Sequence, residues 1–139
     1  MKTKTNSLFN KLFVASLLLA TVLSLQAADV AGTWTWTTPG RNGGPDRTST
    51  LTLTEDHGAL SGKVSAPGRD GTPVDSPISN GKIEGDKVTF DLIRSFNGRS
   101  VTNSYAGSVS ADKITGKISF SRNGEVQSHD WDAKRAAVK

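Results

Sequence analysis

Lys87-Val88-Thr89-Phe90-Asp91-Leu92-Ile93-Arg94-Ser95-Phe96-Asn97-Gly98 is the stretch that decides the fold. Val88, Phe90 and Leu92 alternate with Thr89 and Asp91, the period of two that turns one face of a strand to a core and the other to water. Asn97-Gly98 follows at once, and type I′ hairpins favour that dipeptide because both central residues need positive φ. Working outward in both directions, the same unit recurs: an alternating run, then a Gly, Asn or Asp turn. The runs read as strands over Val30–Thr38, Arg47–Thr54, Ala59–Ser65, Ile78–Glu84, Lys87–Phe96, Arg99–Val109, Ile114–Arg122 and Glu125–Arg135. Threonine-rich outer faces, as in Thr50, Thr52 and Thr54 around Leu51 and Leu53, suit antiparallel strands with one wet side. No stretch carries a helical apolar period. The expected fold is all-β, an eight-stranded antiparallel up-and-down barrel.

Residues 1–27 stand apart from this pattern. Lys2, Lys4 and Lys11 form a basic start, Leu12 to Leu25 is apolar, and Gln26-Ala27-Ala28-Asp29 offers a small-residue cut after Ala27 or Ala28. This reads as a secretory signal peptide, cleaved to leave a single domain over 28–139 in the periplasm or outside the cell. An apolar core of about 14 residues falls short of the roughly 20 that span a bilayer, so no transmembrane segment is expected after cleavage. The chain has 17 basic and 13 acidic side chains, and without the three leader lysines the count is 14 against 13. The basic pI therefore belongs mostly to the leader, and no basic domain remains to argue for nucleic acid. With no Cys, burial and sheet hydrogen bonds hold the domain without disulfides, and a lipid anchor on cysteine is excluded.

In strict up-and-down order the turns sort to two ends. Glu55–Gly58, Gly85-Asp86 and Ser110–Lys113 form the base. Gly40–Asp46, Ala66–Pro77, Asn97-Gly98 and Asn123-Gly124 form the opposite rim, where the two longer Gly/Pro-rich connections are not simple hairpins. Arg41, Arg47, Arg69, Arg94, Arg99 and Arg122 all map to that rim, leaving only Arg135 elsewhere. Arginine presents a planar fork that grips carboxylate, phosphate or sulfate with two bonds.

Parity sharpens the pattern. The apolar series of the fifth strand continues onto Arg94 and Phe96, that of the sixth back to Asn103, that of the seventh onto Arg122, and that of the eighth back to His129 and Gln127. Trp36 shares a face with Trp34, and the second strand ends at Ser49 and Arg47. One end of the interior is thus apolar, while the other gathers Trp36, Arg47, Arg94, Asn103, Arg122, Gln127 and His129. An eight-stranded barrel can hold one small ligand, and donors beside an aromatic wall suit an anionic or hydroxyl-rich molecule.

Gly32-Thr33-Trp34 on the first strand, with Arg135 closing the last, resembles the calycin pattern shared by lipocalins, fatty-acid-binding proteins and avidins. The resemblance implies a closure pair at the base, Trp34 stacked with Arg135 by a cation–π contact. Gly58-Ala59-Leu60-Ser61-Gly62 and His129-Asp130 look like two avidin segments. Trp36, however, stands where avidins place a biotin-binding Asn, and no string of pocket tryptophans follows. Over nearly the whole mature chain the sequence is similar to a set of small exported bacterial β-domains of uncharacterised function. They share a G-x-W start, a middle read here as Asn80-Gly81-Lys82-Ile83-Glu84-Gly85-Asp86-Lys87-Val88-Thr89-Phe90, and an Ala133-Lys134-Arg135 end.

Catalytic constellations are sparse. There is no Cys nucleophile, and His57 in a base turn cannot share a site or a metal with His129 near the rim. No inward carboxylate pair supports glycosidase chemistry. Asp46, Asp70 and Asp75 lack calcium-loop spacing. No cofactor and no metal is expected. The leading expectation is an exported, non-catalytic ligand-binding barrel. The alternatives are a cell-envelope module that recognises a protein or glycan through its outer face or loops, and an enzyme using His129. Oligomeric state is open.

Overall fold

The computed structural model describes residues 29–137. The leader expected over 1–27, with its cut after Ala27 or Ala28, lies outside the described residues. The strands are β1 (Gly32–Thr38), β2 (Arg47–Asp56), β3 (Ala59–Pro67), β4 (Pro73–Glu84), β5 (Lys87–Phe96), β6 (Arg99–Ser110), β7 (Lys113–Arg122) and β8 (Glu125–Arg135). They join in chain order into a closed barrel in which β8 returns to β1, and every pairing is antiparallel.

The tight turns carry the backbone their residues allow. Asn97 and Gly98 have φ of 49° and 75°, Asn123 and Gly124 have 53° and 81°, and His57 and Gly58 have 49° and 83°. Positive φ at both positions is the type I′ signature that matches strand twist.

One connection differs from expectation. The stretch Ala66–Pro77 is mostly strand: β3 runs on to Pro67, β4 starts at Pro73, and Pro67 pairs with Pro73 across a five-residue loop. That loop is closed by Gly68 N–H donating to the Thr72 carbonyl at 2.8 Å. Prolines are tolerated here because β4 meets β5 only from Ile78↔Leu92 downward. Above that point β4 has one free edge, toward which a missing N–H can face.

β4 also contains a bulge. From Leu60↔Gly81 to Lys63↔Pro77 it uses one more residue than β3, and from Ser79↔Asp91 to Lys82↔Thr89 one more than β5. The extra residue falls at Asn80-Gly81, where Asn80 adopts φ 52°, a left-handed conformation that Asn tolerates better than most residues. The bulge switches parity within the strand, so that Ile78 and Ile83 both face the core.

Inside, an aromatic block fills the middle of the barrel. Phe90 stacks on Tyr105 at 4.6 Å and 11°, and Trp131 meets Phe90, Tyr105 and Trp36 edge-on at 5.8, 5.1 and 5.8 Å. Glycines make room for that indole. Gly116 lies directly opposite Trp131 and next to Gly107, and a Cβ on Gly107 would stand 3.2 Å from Cζ3 of Trp131. Leu51, Leu53, Val64, Val88, Ile114 and Ala133 complete the lower core. Burying side chains of Val size or larger stabilises by roughly 1.5–3 kcal/mol each.

The base is sealed by Trp34, which is fully buried and whose Nε1 donates to the Val30 carbonyl at 2.9 Å. The Arg135 guanidinium lies 4.2 Å from the Trp34 ring centroid. Its Nη1 and Nη2 donate to the carbonyls of Ala31 and Asp29 at 2.9 and 2.7 Å, and its Nε to Asp112 at 3.2 Å. The β1–β8 seam it straps is narrow, with only Trp34↔Arg135 and Thr35↔Lys134 in register.

Candidate functional site at the splayed rim

The rim is built by strands that part company. β2 meets β3 from Thr50↔Ser65 downward, β4 meets β5 from Ile78↔Leu92, β6 meets β7 from Asn103↔Phe120, and β1 meets β8 at Thr35↔Lys134. Above those points four hairpins stand as separate fingers, each paired only within itself. The arginines distribute over all four. Arg41, in a 3-10 turn, and Arg47 belong to the first finger, Arg69 to the second, Arg94 and Arg99 to the third, and Arg122 to the fourth.

The floor of this opening is the top of the aromatic block. Trp36 is 8% exposed and meets Tyr105 edge-on at 6.1 Å. Asn103, Arg94 and Phe120 are half-buried just above it. The interior is therefore filled to the level of Trp36, and any site at this end is a shallow well rather than a deep calyx.

Arg94 is the group whose surroundings leave something unmet. It extends from β5 opposite Val101, and its Nε is buried without a hydrogen-bond partner among the described residues. Its charge also reaches Tyr105. Burial pushes the Tyr105 phenol above its ordinary pKa of 10.0, and the Arg94 cation opposes that rise. The hydroxyl consequently stays protonated at neutral pH and can donate.

Among the described residues one other buried side-chain donor lacks a partner, Nε1 of Trp131. The rings of Trp36, Phe90 and Tyr105 stand at 82–84° to that indole.

The remaining residues read from the sequence occupy the outer rim. Arg47, Arg122, Gln127 and His129 are exposed. Arg122 has Glu125 directly opposite, so a carboxylate shares its end of the hairpin. Gln127 faces Phe120 and His129 faces Ile118 across the β7–β8 ladder, with the His129 and Phe120 rings 5.9 Å apart. Their inward parity holds, yet they meet water because β8 has no β1 partner at their height. The structure thus brings Arg94, Asn103 and Trp36 to one floor and leaves the other four on fingers around it. Tyr105, hidden in sequence within an apolar series, is the added member; only the three-dimensional neighbourhood of Arg94 reveals it.

Among the described residues no cluster of three His, Cys, Asp or Glu could hold a metal ion, and no helix is long and apolar enough to cross a membrane. No protein-family model matches the chain, and comparisons with curated proteins and with solved structures return no match, so its geometry carries the functional reading.

Proposed function

We propose that the protein is an exported, non-catalytic binding barrel that captures a small anionic molecule in the shallow well between its four fingers. The reading rests on one observation, the Arg94 guanidinium above the Trp36–Tyr105 floor, whose buried Nε has no hydrogen-bond partner among the described residues. A buried donor left unsatisfied costs about 1–3 kcal/mol, so a folded chain that keeps one gains that amount back when an acceptor arrives. The Nε edge of a guanidinium is one of the two edges that take an oxyanion with paired bonds. The neighbouring Tyr105 hydroxyl is also a donor, and the finger arginines raise the local concentration of anions before contact.

A thermal-shift panel of carboxylates, phosphates and neutral sugars tests this on wild type and Arg94→Ala together. A ligand at 100 times its Kd stabilises by about 2.7 kcal/mol, which is roughly 10 °C in Tm for a domain of this size. The expected result is a rise with at least one anion that is present in wild type and absent in Arg94→Ala, with the unliganded variant no less stable than wild type. A panel in which no anion shifts the wild type, or in which Arg94→Ala responds equally, removes the proposal.

A further inference from the structure

The outer wall carries a second feature that the rim does not use. A hollow of about 320 Å³ lies over β4, β5 and β6, with Asn80, Lys82, Thr89, Asp91, Ser104 and Ala106 around it. The ladder explains why it exists. Lys82, Thr89, Ala106 and Lys117 follow one another across four strands, and Asp91 sits beside Ser104 in the next row. Ala106 and Ser104 are the short side chains in those rows, so the wall dips between Lys82 and Lys117. The Asn80-Gly81 bulge then turns the Asn80 amide over the upper edge.

The chemistry of the hollow is mixed and held in place. Asn80 Nδ2 donates to Asp91 Oδ2 at 3.0 Å and Ser104 Oγ to Asp91 Oδ1 at 2.7 Å. Each carboxylate oxygen is thereby oriented and keeps a second lone-pair direction free. The same two bonds hold the Asp91 carboxyl below its ordinary pKa, so it remains an ionised acceptor in neutral solution. Lys82 brings donors from the opposite side, whereas Lys117 is already taken by Asp130 at 2.9 Å. Among the described residues neither Lys82 nor Asp91 has an opposite charge within salt-bridge distance.

We infer that this hollow is a saccharide subsite, in which neighbouring hydroxyls of a neutral sugar donate to Asp91 and accept from Lys82 and Asn80. One face of the ring rests on the methyls of Ala106 and Thr89. Two unpaired charges of opposite sign in one hollow disfavour a ligand with net charge. Lys82 lies opposite Thr89 and Asp91 two residues further along β5, so a donor and an acceptor reach the hollow from different strands, which suits a ligand carrying several hydroxyls. The inference is independent of the rim, because Arg94 belongs to the inner face and the hollow to the outer one.

The test is ligand-observed saturation-transfer NMR and titration calorimetry with maltose, cellobiose and chitobiose. The proteins are wild type, Asp91→Asn, Asn80→Gly, Ala106→Lys and Arg94→Ala. At least one disaccharide should bind wild type, at least tenfold more weakly to Asp91→Asn, and not at all to Ala106→Lys, whose outward lysine fills the hollow. Asn80→Gly keeps the bulge backbone but loses the amide, so it should weaken binding with the fold intact. Arg94→Ala should bind as wild type does. The inference is overturned if none of the three sugars binds, if binding survives Ala106→Lys, or if Arg94→Ala is the variant that loses it.

Discussion

Replacing Arg135 with alanine should loosen the barrel at its weakest join. β1 and β8 share only two register pairs, whereas β7 and β8 share ten, from Lys113↔Lys134 to Arg122↔Glu125. Arg135 compensates by strapping residues 29–31 beneath the base. Its two bonds to the Ala31 and Asp29 carbonyls are charge-assisted, worth about 1.5–3 kcal/mol each at most, and less at the exposed Asp29 end. The stacking on Trp34 adds about 1 kcal/mol. The ion pair to Asp112 adds little, because that carboxylate is 83% exposed and such pairs contribute about 0–1 kcal/mol. Arg135→Ala should therefore cost about 3–4 kcal/mol, a large share of the 5–15 kcal/mol typical of a domain. Asp112→Ala should cost less than about 1 kcal/mol. Arg135→Lys, which keeps the cation over the indole but loses the fork, should fall between them.

Urea unfolding followed by tryptophan fluorescence reads all three, since Trp34 lies under the guanidinium. Hydrogen exchange adds a local readout. The Ala136 amide, bonded to the Thr33 carbonyl at 2.8 Å, should lose protection in Arg135→Ala before the β5–β6 amides do. If Arg135→Ala costs no more than Asp112→Ala, the strap is not what holds the seam.

Two further measurements bear on other parts of the molecule. Ala111 opens the β6–β7 turn at φ 51°, where its Cβ is strained by about 1–2 kcal/mol; Ala111→Gly should stabilise by about 0.5–1 kcal/mol after glycine's entropy is counted, raising Tm in a calorimetric scan, and an unchanged or lower Tm would contradict the strain. Tyr105 is the single tyrosine in the chain, so absorbance at alkaline pH reports it alone. Its folded pKa is raised by burial, so its contribution to stability is complete below the unfolded value and is lost as pH rises through the folded one. The titration should lie above 10.0 and move higher still in Arg94→Ala, because the opposing cation is gone; a titration that does not respond to that variant would separate the two residues.

Strand count, order and most of the core could be read in the chain because period-two alternation and Asn-Gly turns are local. Trp34, Leu51, Phe90 and Trp131 declare their face by parity with their neighbours. The arginines likewise reach one end by turn counting alone. The β4 bulge was not legible, since Asn80-Gly81 has the same letters as a hairpin turn, and only pairing with both neighbours shows it as an insertion within a strand. The early start of β4 was hidden for a similar reason: Pro73 and Pro77 look like loop residues until one edge of the strand is known to be free.

Parity assigns a direction to a side chain, but exposure depends on whether an adjacent strand is present at that height. This is why His129 and Gln127 point inward and still meet water, while Arg94 keeps a buried nitrogen. The alternation of side chains along each strand is a local steric property, written residue by residue. The splaying of the fingers, the filled aromatic floor and the hollow beside Asp91 arise from strands distant in the chain, and from how far each pair stays in register.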